Sequence, residues 1–139
     1  MRRPAETDLD DGTAVLEVLV LGTGLLVPLL YAVISIMAVQ SATYAATSAA
    51  REAARSYVTG AGTADAASRA RAATRLVLAD AGIAPTTPVV RCVGGCLVPG
   101  SRVDVTVTVE VALPLVPGGP TITVHGQESM PVDLYGDAP

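Results

Sequence analysis

The side chains that could do chemistry are few: a glutamate at the head of a long apolar run, two cysteines and a single histidine. Cys92 and Cys96 enclose Val93-Gly94-Gly95. A tetrahedral zinc site needs four ligands, and beside these thiols the chain offers one His, which argues against a metal. A disulfide closing a Gly-Gly turn fits an oxidising, exported domain better and is the reading that cysteine arithmetic favours. The loop it closes is short, so its stabilisation is about 1–2 kcal/mol on the chain-entropy model. His125 falls on the polar side of an alternating run, with no Ser, Cys or carboxylate arrangement around it that suggests a triad, and reads as a solvated side chain. No catalytic residue, metal or cofactor is expected. Glu17 is different, because an ionised carboxylate at the edge of a hydrocarbon segment costs a few kcal/mol (order of magnitude) unless it lies at the interface or finds a partner charge. The chemistry to expect of this chain is the pairing of a charge and the closing of a disulfide.

Glu17 opens the segment around which the chain is organised. From Val18 to Val39 there are 22 consecutive residues without a charge. At about 1.5 Å per residue they reach about 33 Å, enough to cross a hydrocarbon core about 30 Å thick. The run is longer than the apolar core of a secretory signal and is not followed by a small-residue cleavage site, so an anchor retained in the mature protein is expected. Pro28 removes a backbone donor inside it and should kink or loosen the helix locally. Gly22-Thr23-Gly24 is not a phosphate loop, since no third glycine or Lys follows. Beyond Val39 the helical pattern continues to about Val58, with Ala42, Ala45, Ala46, Ala49, Ala50, Ala53 and Ala54 on one face, a stripe of small residues that lets another element approach closely. Arg51 and Arg55 lie on a polar edge, with Glu52 within reach of Arg55.

Gly60-Ala61-Gly62 should end this helix, with Thr63 as the N-cap of a second helix over 64–81 that stops at Gly82 and Pro85. Its expected apolar face is Ala66, Ala70, Ala73, Leu76 and Val77, and Asp65 precedes Arg69 in the favourable order for an exposed ion pair. This helix is expected to fold back on the first or to cover a sheet. Valines at 103, 105, 107, 109 and 111 alternate with polar residues, the period of a half-buried strand. A Pro-Leu-Val-Pro-Gly-Gly-Pro connection leads to a second strand over 121–130, with Ile122, Val124 and Met130 on one side and Thr123, His125 and Gln127 on the other. A further strand near 88–93 is expected to pair with the long one, since three strands packed on a helix are about the least that is independently stable. The fold class expected is α+β: a long N-terminal helix that starts in the membrane and continues outside it, a second shorter helix, and a small three-stranded antiparallel sheet. The 139 residues support one membrane segment and one small domain. Lys, Asn, Phe and Trp are absent, so the exported part must rest on close Ala packing, the sheet and assembly with other chains. The net charge is −4, and no basic patch with interleaved aromatics is available to neutralise phosphates, which disfavours nucleic-acid binding.

The order of an acidic-polar leader, Gly12, Thr13, three apolar residues, Glu17 and an apolar helix resembles the type IV prepilin signature, with Asp10 and Asp11 standing where many prepilins carry Lys or Arg. In that family a membrane peptidase cuts after the glycine, and the fifth residue of the mature chain is a glutamate that meets the free amine of a neighbouring subunit during assembly. The resemblance therefore implies cleavage between Gly12 and Thr13 and an assembly role for Glu17. With the Ala-Ala-Arg-Glu-Ala-Ala-Arg continuation, the second helix, the Cys-x-x-x-Cys turn, the Val/Thr strand and the closing Pro-Val-Asp-Leu-Tyr of 131–135, nearly the whole chain is similar to the TadE-like pilus assembly proteins of the tight-adherence (Flp pilus) system. What that implies is a minor pilin or pseudopilin, with a leader over 1–12, a membrane and extended helix over 13–58, and an exported domain over 59–139. Its partners would be a prepilin peptidase, other pilin or pseudopilin subunits and the assembly machinery, with no small-molecule substrate.

Charge alone does not orient the segment, because Arg2 and Arg3 precede it and Arg51 and Arg55 follow it. A cytoplasmic N-terminus rests on the prepilin resemblance and on the cysteines. Two readings stay open: a cleaved structural subunit whose freed helix packs against other pilin helices, and an uncleaved bitopic adaptor, its Glu17 merely interfacial, whose exported domain binds a partner or the envelope.

Overall fold

The computed structural model of the protein describes residues 11–113 and 119–134. Its elements are helix α1 (Asp11–Val58), helix α2 (Thr63–Asp80) and strands β1 (Val89–Val93), β2 (Arg102–Ala112) and β3 (Thr121–Pro131). The strands form one antiparallel sheet in the order β1-β2-β3. This is the α+β arrangement expected from the periodicities, and one helix is long and apolar enough to cross a membrane.

α1 is a single helix of 48 residues with two different surroundings. Over its first half the large apolar side chains, from Val15 to Met37, are largely exposed among the described residues. The helix runs unbroken through Pro28, where the ring leaves the Gly24 carbonyl without its usual amide partner. Over its second half, Ala42, Ala45, Ala46, Ala49, Ala50, Ala53, Ala54 and Tyr57 are buried against α2 and the sheet. The alanine stripe is therefore the helix's contribution to the core, opposite Val103, Val105, Val107 and Val109 of β2 and Val124 of β3. Small residues let the helix come close enough for backbone to meet backbone. A Cβ built at Gly126, in the middle of β3, would overlap the Ala46 carbonyl and the Thr47 amide. Gly126 faces the helix with Val124 and Met130, opposite Val107, so its lack of a side chain sets the distance at which α1 crosses the sheet.

α2 packs against α1 and differs from expectation at its start and on its buried face. The N-cap is Gly62, not Thr63. Thr63 is already helical, the Gly62 carbonyl accepts the Ala66 amide at 2.8 Å, and no side chain caps it. One residue ahead of the cap, the Ala61 N–H donates to Asp65 Oδ2 at 3.1 Å while Arg69 Nε donates to the same oxygen at 2.7 Å. An acidic side chain in the first turn thus reaches back over the cap and fixes the residue that leads into the helix. The buried residues are Ala66, Ala70, Thr74 and Leu78, a strict four-residue spacing. Leu76, expected on the apolar face, is 65% exposed, because it lies two residues, about 200° around the helix, from both Thr74 and Leu78. The Thr74 hydroxyl is satisfied by the Ala70 carbonyl at 2.9 Å. At the far end Gly82 adopts φ +68° and donates to the Ala79 carbonyl, and Ile83 donates to the Leu78 carbonyl. This is the Schellman arrangement that only glycine enters without strain, and Gly82 ends the helix as expected.

Candidate functional site

The residues with functional promise lie at three levels along α1. Gly12 and Thr13 are in its first turn, where the backbone is helical, and the leader over 1–10 lies outside the described residues. Glu17 follows one turn later, exposed between Leu16 and Val18, and among the described residues no cation pairs with it. The side chains around it, from Val15 to Val20, are apolar and exposed, a setting in which an ionised carboxylate calls for a compensating charge. Pro28 lies in the middle of the apolar half.

At the other end of the molecule Cys92 and Cys96 are joined by a disulfide, with Cα atoms 5.2 Å apart. Gly94 and Gly95 inside the loop hold φ +86° and +114°, conformations that a Cβ disfavours, so the two glycines make the closure possible. The Tyr57 hydroxyl, at the end of α1, lies 3.9 Å from Cys92 Sγ and links the disulfide to the helix layer. The bridge thus clasps the end of β1 beside the last buried turn of α1.

His125 lies on the outward face of the sheet with Nδ1 3.0 Å from the Thr108 hydroxyl directly across on β2. The same face carries a bond from the Ser129 hydroxyl to Asp104 Oδ1 at 2.6 Å and a shallow polar depression over Arg91, Asp104, Thr106 and Gln127. These are cross-strand pairs that tie β2 to β3. They bring no nucleophile together with a base and an orienting acid. Among the described residues, no group of three or more His, Cys, Asp and Glu side chains could hold a metal ion.

Two charged contacts depart from or refine the local expectations. Arg51 pairs across to Glu128 of β3 at 3.8 Å, and Asp65 pairs with Arg69 as expected. The paired Glu128 carboxylate is more sheltered than the solvent-facing edge of the helix on which Glu52 and Arg55 lie, which favours the cross-element partner. The Ala61 amide, and then Arg69, hold the Asp65 carboxyl below its ordinary value. Gly126 and Asp65 are the positions whose importance local pattern reading missed. A glycine inside an otherwise Val/Thr-rich strand on the inward side is the signal for the first, and an acid at the third helical position for the second.

No family model, curated protein or solved structure matches this chain.

Proposed function

We propose that this chain is a TadE-like minor pilin, processed by a prepilin peptidase at Gly12–Thr13 and assembled through Glu17 into or beneath a tight-adherence (Flp) pilus. The observation that carries the reading is the pairing of Glu17, five residues past Gly12, with a helix whose first half is bare and whose second half is built into the domain core. A bare apolar half-helix serves equally in a bilayer and in a bundle of like helices, so a subunit of this shape can pass from one to the other without refolding its domain. On this reading the N-terminus is cytoplasmic and the disulfide-bonded domain faces the oxidising side. The chain then acts by packing rather than by turnover.

The competing reading, an uncleaved membrane adaptor, is favoured by the acidic Asp10 and Asp11 beside Gly12. Intact-mass measurement on membrane-extracted protein separates the two. Loss of residues 1–12 is expected from the wild type, and Gly12→Val should leave a full-length, membrane-held precursor, because a peptidase fitted to glycine has no room for a branched side chain. Trimming of Gly12→Val at Thr13 would show that the assigned cleavage site is wrong.

A further inference from the structure

Where α1 leaves its bare half and enters the domain, its surface meets the end of the sheet in an apolar groove. Tyr31, Ser35, Ile36 and Val39 of α1 face Leu113, just past β2, and Ile122 at the start of β3, and no charged residue lines the groove. Ile122 is 39% exposed and Ile36 56%, so this surface is covered neither by the helix layer nor by the sheet. It runs without interruption into the exposed apolar side chains of the membrane-spanning half of α1.

Length decides what covers it. If Glu17 marks one edge of the hydrocarbon, about 30 Å of helix carries the other edge to about Met37, at about 1.5 Å per residue. Ile36 then lies at that second boundary, and Leu113 and Ile122, which share its groove, lie at the same height. The first polar residues beyond are Gln40, Ser41 and Thr43, whose side chains suit the headgroup layer. The chain linking β2 to β3, residues 113–120, is Leu-Pro-Leu-Val-Pro-Gly-Gly-Pro, with no charged or hydrogen-bonding side chain. An ordinary solvent-facing hairpin connection is rich in Asn, Asp and Ser as well as Gly and Pro.

From this continuity and this height we infer that the sheet end bearing Leu113 and Ile122 is seated in the bilayer interface farther from Glu17, its groove filled by lipid acyl chain. The exported domain is then held at a fixed height and rotation on the membrane. The inference rests on α1 spanning the bilayer and is indifferent to whether the leader is cleaved.

The absence of tryptophan from the chain allows a direct test with single-tryptophan variants of the full-length protein in phosphatidylcholine vesicles. Ile122→Trp places the probe in the groove, and Leu113→Trp repeats it from the neighbouring position. Leu26→Trp reports the middle of the span, and Gln127→Trp reports the outward sheet face farther along β3. With lipid brominated near the headgroup end of its acyl chains, Ile122→Trp and Leu113→Trp should emit to the blue of Gln127→Trp and lose at least half of their fluorescence, while Gln127→Trp keeps its own. Quenching of Leu26→Trp by deeply brominated lipid, with Ile122→Trp and Leu113→Trp as unquenched as Gln127→Trp, overturns the seat and leaves the span intact. Blue-shifted but unquenched emission at both groove positions also overturns it, since protein rather than lipid would then fill the groove. Failure to quench Leu26→Trp removes the membrane span itself and the seat with it.

Discussion

Glu17 and Asp65 show how the same functional group takes opposite roles in two surroundings. Asp65 is partnered within its own chain, accepting the Ala61 amide and the Arg69 guanidinium on one oxygen. Those contacts favour the ionised form and hold its carboxyl below the ordinary aspartate value of 3.8. A carboxyl whose value is lowered by folding contributes stability that is fully present above its unfolded value and is lost as pH falls through the folded one. Thermal unfolding of wild type and Asp65→Ala, followed by circular dichroism in detergent, should therefore differ near neutral pH, and the difference should shrink as pH falls below the ordinary aspartate value and through the lowered one. A difference that persists undiminished in acid would mean that Asp65 acts through packing and not through its charge. Glu17 has no such partner among the described residues.

At the scale of elements, the decisive contact is the crossing of α1 over β3. The alanine stripe and Gly126 are complementary parts of one device, in which small residues on the helix and a missing side chain on the strand bring two backbones together. Overpacking a core costs about 1–3 kcal/mol, and here the obstacle to a new methyl group is backbone, which cannot rotate away. Gly126→Ala should accordingly destabilise the detergent-solubilised full-length protein by about 3 kcal/mol, the upper end of that range, read as a lowered denaturant midpoint with an unchanged slope. Gly22→Ala is the matched control, because a Cβ there meets nothing within 4 Å, and it should leave the midpoint where it was. Equal midpoints for Gly126→Ala and wild type would show that the helix does not lie as close to the strand as the structure has it.

For the whole molecule, the division of α1 into a bare half and a nested half joins the domain to the apolar segment without a hinge, since one helix belongs to both. A charge at the head of the bare half is then presented at a set distance from the domain, and pairing it with an amine freed at Thr13 of an adjacent chain would offset its desolvation in a low-dielectric setting. Glu17→Gln keeps size and polarity and removes the charge. Under the pilin reading it should insert and be processed as wild type, while its co-purification with other pilus subunits falls. Normal co-purification of Glu17→Gln would count for an interfacial glutamate and for the adaptor reading.

Local chemistry by itself determined a good deal about this protein. The 22 uncharged residues from Val18 to Val39 mark the apolar part of the long helix, alanines at helical spacing mark its packed face, valines at period two mark β2, and Gly82 stops α2, because each of these depends on neighbours in sequence. Only the tertiary structure decided that Leu78 and Thr74 are buried while Leu76 is not, that Arg51 reaches Glu128, that Gly126 sets the height of the helix over the sheet, and that Leu113 and Ile122 stand beside Ile36. Each of these joins residues far apart in the chain, or depends on the rotation of a helix that carries apolar side chains at the consecutive positions 76, 77 and 78. No local period distinguishes one such rotation from the next, and the choice falls to close packing against a partner element that the sequence does not place.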